Sequence, residues 1–130
     1  MQPRLFKTNL ADYVPAKWSG KNESGWHPLG DKVVVLPDEA AEQSSGGLYM
    51  PDDIKARHTM AAEAGVVIAL GDGAFKWNTD RTTPYDGVKP KPGDRVYVER
   101  YSGQLMHGHD GIVYRVMESA CIAAIQGESK

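Results

Sequence analysis

The chain has 130 residues, of which 41% are hydrophobic and 25% charged, the composition of a single soluble globular domain. Its formal net charge of −2 and its pI near 6.1 give no electrostatic reason to bind nucleic acid or an acidic membrane. We expect neither a signal peptide nor a membrane span, because no apolar stretch is long enough. The single cysteine, Cys121, excludes an internal disulfide.

The N-terminal part of the chain carries no recognisable motif, and residues 1–25 are an extension of unassigned role in which Trp18 is expected to be only a packing anchor. Two later segments, Val33 to Leu36 and Val66 to Leu70, are unbroken apolar runs. Runs of this kind are expected where a strand is covered on both faces. Both segments are therefore predicted to be buried strands.

Between these strands lies Ser44-Ser45-Gly46-Gly47-Leu48-Tyr49-Met50-Pro51, in which three apolar side chains follow a glycine pair. A glycine pair costs backbone entropy and adds no packing, so a segment meant only for burial would avoid it. The residues on either side are polar and charged. An apolar tripeptide in such a frame is typical of a segment that binds a groove in another protein. The alternative is a short edge strand that closes onto its own barrel.

The segment that returns from this tripeptide admits two interpretations. Pro51, followed by Asp52 and Asp53, is typical of the first turn of a helix, and Gly65 would end that helix. The apolar positions in between form no continuous stripe, however, and a helix without packing is marginal in water. We therefore expect residues 43–63 to form one long mobile loop without a stable helix.

The second half of the chain alternates between apolar and polar positions. Arg95 to Glu99 places its two valines on one face, and Ile112 to Val116 alternates in the same way. Asp110-Gly111 is a strong turn signal that joins this second strand to Gln104-Leu105-Met106 in a hairpin. Short strands separated by proline and glycine predict an all-β fold in the form of a small, partly open β-barrel.

A size argument predicts an oligomer. Without the extension, the loop and a longer insert at residues 74–92, only about half of the chain remains for the barrel, and a domain of roughly 60 residues is marginal alone. Pairing of the C-terminal segment with the first strand of a neighbouring copy would remove two exposed sheet edges at once. The predicted subunit interface consists of Leu29, Val33, Val35, Ile122, Ala124 and Ile125.

Five short motifs occur along the chain in a specific order. They are Pro28-Leu29-Gly30-Asp31-Lys32-Val33, Gly46-Gly47-Leu48-Tyr49-Met50-Pro51, Gly65 to Gly73, Lys91-Pro92-Gly93-Asp94-Arg95-Val96, and Met117 to Ile125. Together they resemble the GroES-type co-chaperonins of the chaperonin-10 family, over residues 26–125. The chain departs from the family pattern in its N-terminal extension and in residues 74–92, which are longer and more aromatic than the family's roof hairpin.

This resemblance implies a co-chaperonin lid. The implied organisation is a GroES-like barrel (26–125) with the mobile loop (43–63), a β-hairpin roof insert (74–92) and a C-terminal tail (126–130). The implied assembly is a homo-oligomeric ring, a heptamer, that binds the apical domains of a GroEL-type chaperonin ring and closes its folding chamber. By this resemblance, the residues that contact the chaperonin are Gly46, Gly47, Leu48, Tyr49 and Met50.

The resemblance also implies the remaining partners and the compartment. Unfolded substrate proteins would be partners only indirectly, and ATP would be bound by the partner chaperonin and not by this chain. We expect a cytoplasmic protein, in the host cytoplasm if the gene is viral.

No catalytic constellation is visible in the sequence, and no Gly-x-x-x-x-Gly-Lys-Ser/Thr loop is present. His107 and His109 fall in a predicted solvated loop, and Cys121 lies in an apolar strand where a thiol is usually a small hydrophobe. We therefore expect no enzymatic activity, no metal and no cofactor.

Two alternatives to a lid remain open. A barrel of the OB or SH3 kind that binds nucleic acid, or acts in virion assembly, would need a basic face with stacking aromatics. The catalytic half of a zinc-dependent dehydrogenase would need a cysteine-rich metal set and a Gly-x-Gly-x-x-Gly nucleotide-binding domain, and the sequence has neither.

Overall fold

Eight β-strands supply most of the regular structure in the computed structural model, which describes residues 13–40, 57, 59–77, 80 and 82–126. In chain order they are β1 (Tyr13–Val14), β2 (Lys32–Pro37), β3 (Glu39–Ala40), β4 (Ala64–Leu70), β5 (Arg95–Val98), β6 (Gln104–His107), β7 (Val113–Glu118) and β8 (Ile122–Ile125). A 3-10 helix, Ser119–Cys121, joins β7 to β8, and residues 59–61 are helical. None of the helical segments in these ranges has the length and apolar character needed to cross a membrane. The predicted all-β class is confirmed.

Six of the strands form one antiparallel sheet with the order β6-β7-β2-β4-β5-β8. The two end strands, β6 and β8, do not pair with each other, so the barrel is partly open, as predicted. β1 and β3 form a separate two-stranded ribbon. β2 therefore lies in the middle of the sheet, with β7 on one side and β4 on the other.

The two central strands bury side chains on both faces, which explains their unbroken apolar sequences. One face forms a cluster of Val33, Val35, Val67, Val96, Val98 and Met117. The other face forms a second cluster of Val34, Leu36, Val66, Ile68 and Tyr114. A polar side chain at a buried position of either strand would enter one of these clusters without a hydrogen-bond partner.

Different parts of the chain cover the two clusters. The first cluster is covered by Ala74 and Phe75 of the insert and by Ile122 and Ile125 of β8. The second cluster is covered by Ala16 and Trp18, both of which belong to the N-terminal extension. Trp18 is thus the packing anchor that the sequence suggested, and the extension completes one face of the barrel.

Of the two predicted hairpins, the β6–β7 hairpin is present, whereas the described part of the roof insert contains one isolated bridge and no strand. In the roof insert, Trp77 and Pro84 form an antiparallel bridge, and the Tyr85 amide donates to the Lys76 carbonyl at 2.9 Å. β6 and β7 pair across the Asp110-Gly111 turn, where Gly111 adopts a φ of 82° that favours glycine. The turn signal therefore identified the right pair of strands.

Candidate functional site

The arm, defined as residues 43–63, carries the predicted chaperonin contacts. Gly46, Gly47, Leu48, Tyr49 and Met50 lie outside the residues that the structure describes. The structure does describe the residues that lead into the arm, here called the outgoing limb (residues 38–40), and the end of the arm, here called the return limb (residues 59–63). These two limbs and their contacts with the barrel form the root of the arm.

Both limbs meet at one end of the barrel. β2 leads into the outgoing limb and β4 follows the return limb, and these two strands pair through Pro37 and Gly65. The Asp38 amide continues this ladder by donating to the Ala64 carbonyl at 3.0 Å. A side chain at Gly65 would lie 2.6 Å from the Leu36 carbonyl oxygen, so only glycine allows the strands to approach this closely. The arm therefore leaves and re-enters the barrel at adjacent points.

The outgoing limb is fixed by the buried carboxylate of Asp38. Arg95 on β5 binds this carboxylate with both terminal nitrogens, at 3.0 Å and 2.9 Å. The Ala16 amide of the extension donates to the same carboxylate at 2.9 Å. Paired in this way with Asp38, the Arg95 guanidinium has a pKa above its ordinary value, and bidentate pairs of this type are among the stronger polar contacts in proteins.

The return limb is held by backbone hydrogen bonds to the last residue of β5 and to the segment that follows this strand. The Val98 amide donates to the Glu63 carbonyl at 2.8 Å, and the Tyr101 amide donates to the Met60 carbonyl at 2.6 Å. Ala61 and Ala62 are buried against the barrel. The loop was expected to extend through residue 63, but its last residues are docked because their carbonyls and small side chains find partners on the barrel.

A buried arginine, Arg115 on β7, ties the return limb to the β5–β6 connection. Its side chain is fully buried, and one terminal nitrogen donates to the Ala62 carbonyl at 2.8 Å. The other donates to the carbonyls of Glu99 and Ser102 and to the Ser102 hydroxyl, at 2.8 to 3.0 Å. Its Nε has no hydrogen-bond partner among the described residues, and burial lowers the pKa of the guanidinium.

No sequence motif singles out Arg115. Alternation along β7 places Arg115 on the same face as Val113 and Met117, and this placement between two apolar residues is the only sequence feature that indicates its burial. Its acceptors come from residues 62, 99 and 102, which are distant in the chain, so a sequence pattern does not reveal the contact.

The predicted interface residues divide into two groups. Val33 and Val35 are fully buried in the first core cluster, and both edges of β2 are already paired. These two valines are therefore core residues with no surface left for a neighbouring subunit. Leu29, by contrast, is 80% exposed just before β2, and Ala124 is exposed on β8.

β8 lies at the end of the sheet and pairs with β5 of its own chain, with Tyr97 opposite Ala124 and Val96 opposite Ile125. Its outer edge borders a groove of about 430 Å³ whose walls are apolar. The lining residues are Phe75, Tyr85, Val88, Pro90 and the four residues of β8. Of the predicted interface, Ile122, Ala124 and Ile125 thus line an open groove beside a strand edge that pairs with no other described strand.

The remaining candidate residues have structural roles. The His107 carbonyl accepts a hydrogen bond from the Trp26 indole at 2.9 Å, and the His109 amide donates to the Ser24 carbonyl at 2.8 Å. Cys121 packs beside the first core cluster, and burial raises the pKa of its thiol. Among the described residues, no group of three or more histidine, cysteine and acidic side chains has a metal-binding arrangement.

The fold and the root of the arm define a class of protein: a small antiparallel barrel that carries one long arm between two adjacent strands and an apolar groove at an open sheet edge. The family model described as "Chaperonin 10 Kd subunit" matches residues 26–126. A protein named co-chaperonin GroES from Gemmatimonas aurantiaca is 43% identical over 98 residues, covering 75% of this chain and 92% of that relative. A second, from Neorickettsia sennetsu, is 36% identical over 102 residues, covering 78% of this chain and 94% of that relative.

The chain therefore belongs to the chaperonin 10 kDa subunit family, the family that the five sequence motifs resemble. Its function is that of a co-chaperonin, which assists a chaperonin and is not itself an enzyme. Nothing in these comparisons favours a nucleic-acid-binding or virion-assembly module. The matched residues begin at Trp26, so the N-terminal extension lies outside the family match.

Proposed function

We propose that the arm binds the apical domains of a GroEL-type chaperonin ring through Leu48, Tyr49 and Met50, with Gly46 and Gly47 as the hinge. The chain then closes the folding chamber of that ring, so that unfolded substrate proteins are partners only indirectly. ATP is bound by the chaperonin and not by this chain. We propose that the chain acts together with its chaperonin in the cytoplasm, the host cytoplasm if the gene is viral.

The observation that carries this proposal is the anchored root of the arm. Asp38 fixes the outgoing limb to Arg95 on β5, and Arg115 on β7 fixes the return limb, while the segment between the limbs contains an apolar tripeptide in a charged frame. A barrel that used this tripeptide for its own stability would not need a bidentate arginine on the buried Asp38 carboxylate and a second, buried arginine at the root of the arm. The arrangement suits an extended segment that binds a groove in a partner.

The test is binding to an ATP-loaded chaperonin ring by Leu48→Asp. Burying one leucine side chain contributes about 1.5–3 kcal/mol, and part of this offsets the ordering of the arm, so each arm binds weakly. Arms on a common ring engage together, so the binding free energy that each arm loses adds up over all the arms of the ring. Leu48→Asp is therefore expected to abolish binding.

Ser45→Asp is the matched control, because it adds the same charge to the same arm outside the apolar tripeptide. We expect Ser45→Asp to bind within a few-fold of wild type. Met50→Ala should weaken binding less than Leu48→Asp does. Wild-type affinity of Leu48→Asp, with assembly unchanged, would show that residues 48–50 do not form the contact.

We further propose that the functional form is a homo-oligomeric ring, a heptamer, in which Leu29 of one copy packs near Ile122, Ala124 and Ile125 of the next. Three observations support this: the outer edge of β8 is unpaired among the residues that the structure describes, β8 lines an apolar groove, and the large apolar side chain of Leu29 is exposed. Covering an exposed strand edge and an exposed leucine together is favourable.

Native mass spectrometry of Ala124→Asp tests the ring. Ala124 is exposed in the protomer, so the substitution leaves the core intact but places a charge in the proposed interface. We expect smaller species than in wild type. Gln104→Asp, on the opposite edge strand β6, is the control and should assemble normally. Intact Ala124→Asp rings would remove β8 from the interface.

A further inference from the structure

The N-terminal extension is the part of the described chain that the family match does not cover. One end of it is anchored beside the β6–β7 turn, where Ser24 is fully buried and its carbonyl accepts from the His109 amide at 2.8 Å. Trp18 then packs on the second core cluster. The extension thus runs across one face of the barrel from the β6–β7 turn.

The other end of the extension reaches the root of the arm. β1 pairs with β3, the outgoing limb itself, with Tyr13 opposite Ala40 and Val14 opposite Glu39. Two residues later, the Ala16 amide donates to the buried Asp38 carboxylate, which Arg95 also binds. The outgoing limb is therefore held by the extension over three consecutive residues, 38 to 40.

The same end of the extension also lies beside the return limb. Burial raises the pKa of the Tyr13 hydroxyl, and the charged and ionisable groups that act on it are Arg100, Tyr101, Glu63 and Arg115. Glu63 belongs to the return limb, and the Tyr101 amide is one of the donors that hold that limb. The backbone of Tyr13 thus pairs with the outgoing limb, and its hydroxyl lies within electrostatic range of Glu63 on the return limb.

We infer that the N-terminal extension is a positioning element, which brackets the two limbs at their root and sets the direction in which the arm leaves the barrel; this rests on the function proposed above. A binding segment on a tether reaches its groove more often when the tether starts in the right direction. Residues that are ordered before binding do not have to be ordered during it. The bracket therefore raises the affinity for the chaperonin without contacting it.

The test uses the full-length chain with the double substitution Val14→Pro/Ala16→Pro. Proline at 16 deletes the amide that donates to Asp38, and proline at 14 disrupts the β1–β3 pairing. Pro15→Ala, between these two positions, is the matched control, because it keeps both amides. All three proteins should show the same assembly mass.

Two measurements decide the outcome. Hydrogen exchange of the β3 amides in the free protein should be faster by about tenfold or more in the double variant, with the amides of β2 unchanged. Affinity for an ATP-loaded chaperonin ring should fall by about tenfold or more, because several arms are affected together. Pro15→Ala should match wild type in both.

Unchanged exchange at β3 would overturn the inference, because the extension would then not hold the limb. Faster exchange with unchanged chaperonin affinity would overturn it as well, because the bracket would have no positioning role. Wild-type protein that fails to bind any ATP-loaded ring would instead overturn the proposed function of the arm, on which the bracket depends.

Discussion

Replacing Arg115 by methionine is expected to destabilise the protein through two backbone groups. Methionine keeps an apolar stem of similar length, so the effect of the lost hydrogen bonds dominates. The carbonyls of Ala62 and Ser102 would each lose the arginine as a donor, whereas the Glu99 carbonyl keeps the Ser102 hydroxyl at 2.6 Å.

A buried carbonyl left without a donor costs about 1–3 kcal/mol, so two of them cost roughly 2–6 kcal/mol. Removing a buried charge offsets part of this, since the guanidinium no longer has to be kept out of water. The net loss in the free energy of unfolding should be about 2–4 kcal/mol. Urea denaturation at a fixed protomer concentration measures it, because assembly also contributes to the apparent stability.

Arg100→Met is the matched control. The Arg100 Nε donates to the Ala61 carbonyl at 3.2 Å and lies 4.0 Å from the Glu63 carboxylate, and about half of the Arg100 side chain is exposed. Its loss should cost under about 1 kcal/mol. If Arg115→Met were as stable as Arg100→Met or more so, the carbonyls around Arg115 would not depend on it, and Arg115 would not be what ties the return limb to the barrel.

Two further predictions concern the β6–β7 hairpin and the residues without a chemical role. The Tyr114 hydroxyl donates a hydrogen bond to the Asp110 carboxylate and lowers the pKa of that carboxyl below its ordinary value. The contact therefore stabilises the fold fully above the ordinary pKa of an aspartate, and this stabilisation is lost as the pH falls through the lowered pKa. The difference in unfolding free energy between wild type and Tyr114→Phe should therefore shrink between about pH 7 and about pH 2, and a constant difference would contradict it. The triple variant Cys121→Ala/His107→Gln/His109→Gln should keep full chaperonin binding, whereas a zinc-dependent activity lost in it would reveal a missed site.

The sequence was most informative where contacts are local or where both faces of a strand are buried. The unbroken runs of β2 and β4 predicted their double burial, and Asp110-Gly111 predicted the β6–β7 hairpin because a turn is specified by the residues within it. The barrel class followed from these strands and from the motifs that resemble the family.

The predictions that failed or were missing depend on pairing between distant segments. Val33 and Val35 were placed at an interface because the first strand was taken as a sheet edge, whereas the pairings with β7 and β4 put it in the centre. Residues 13–16 contact the root of the arm, and Arg115 contacts carbonyls of three other segments. Both sets of contacts likewise join residues far apart in the chain. Neither composition nor periodicity encodes such contacts.

The direct pairing of β2 with β4 has a consequence for how the molecule tolerates change. Topologically the two strands form a hairpin, and residues 38–63 are its connection. The entropy cost of closing a connection grows only with the logarithm of its length, by about 0.6 kcal/mol for each doubling. Insertions or deletions between residues 41 and 56 should therefore change the reach of the arm at little cost to the fold, so that the specificity for a partner and the stability of the barrel are free to evolve separately.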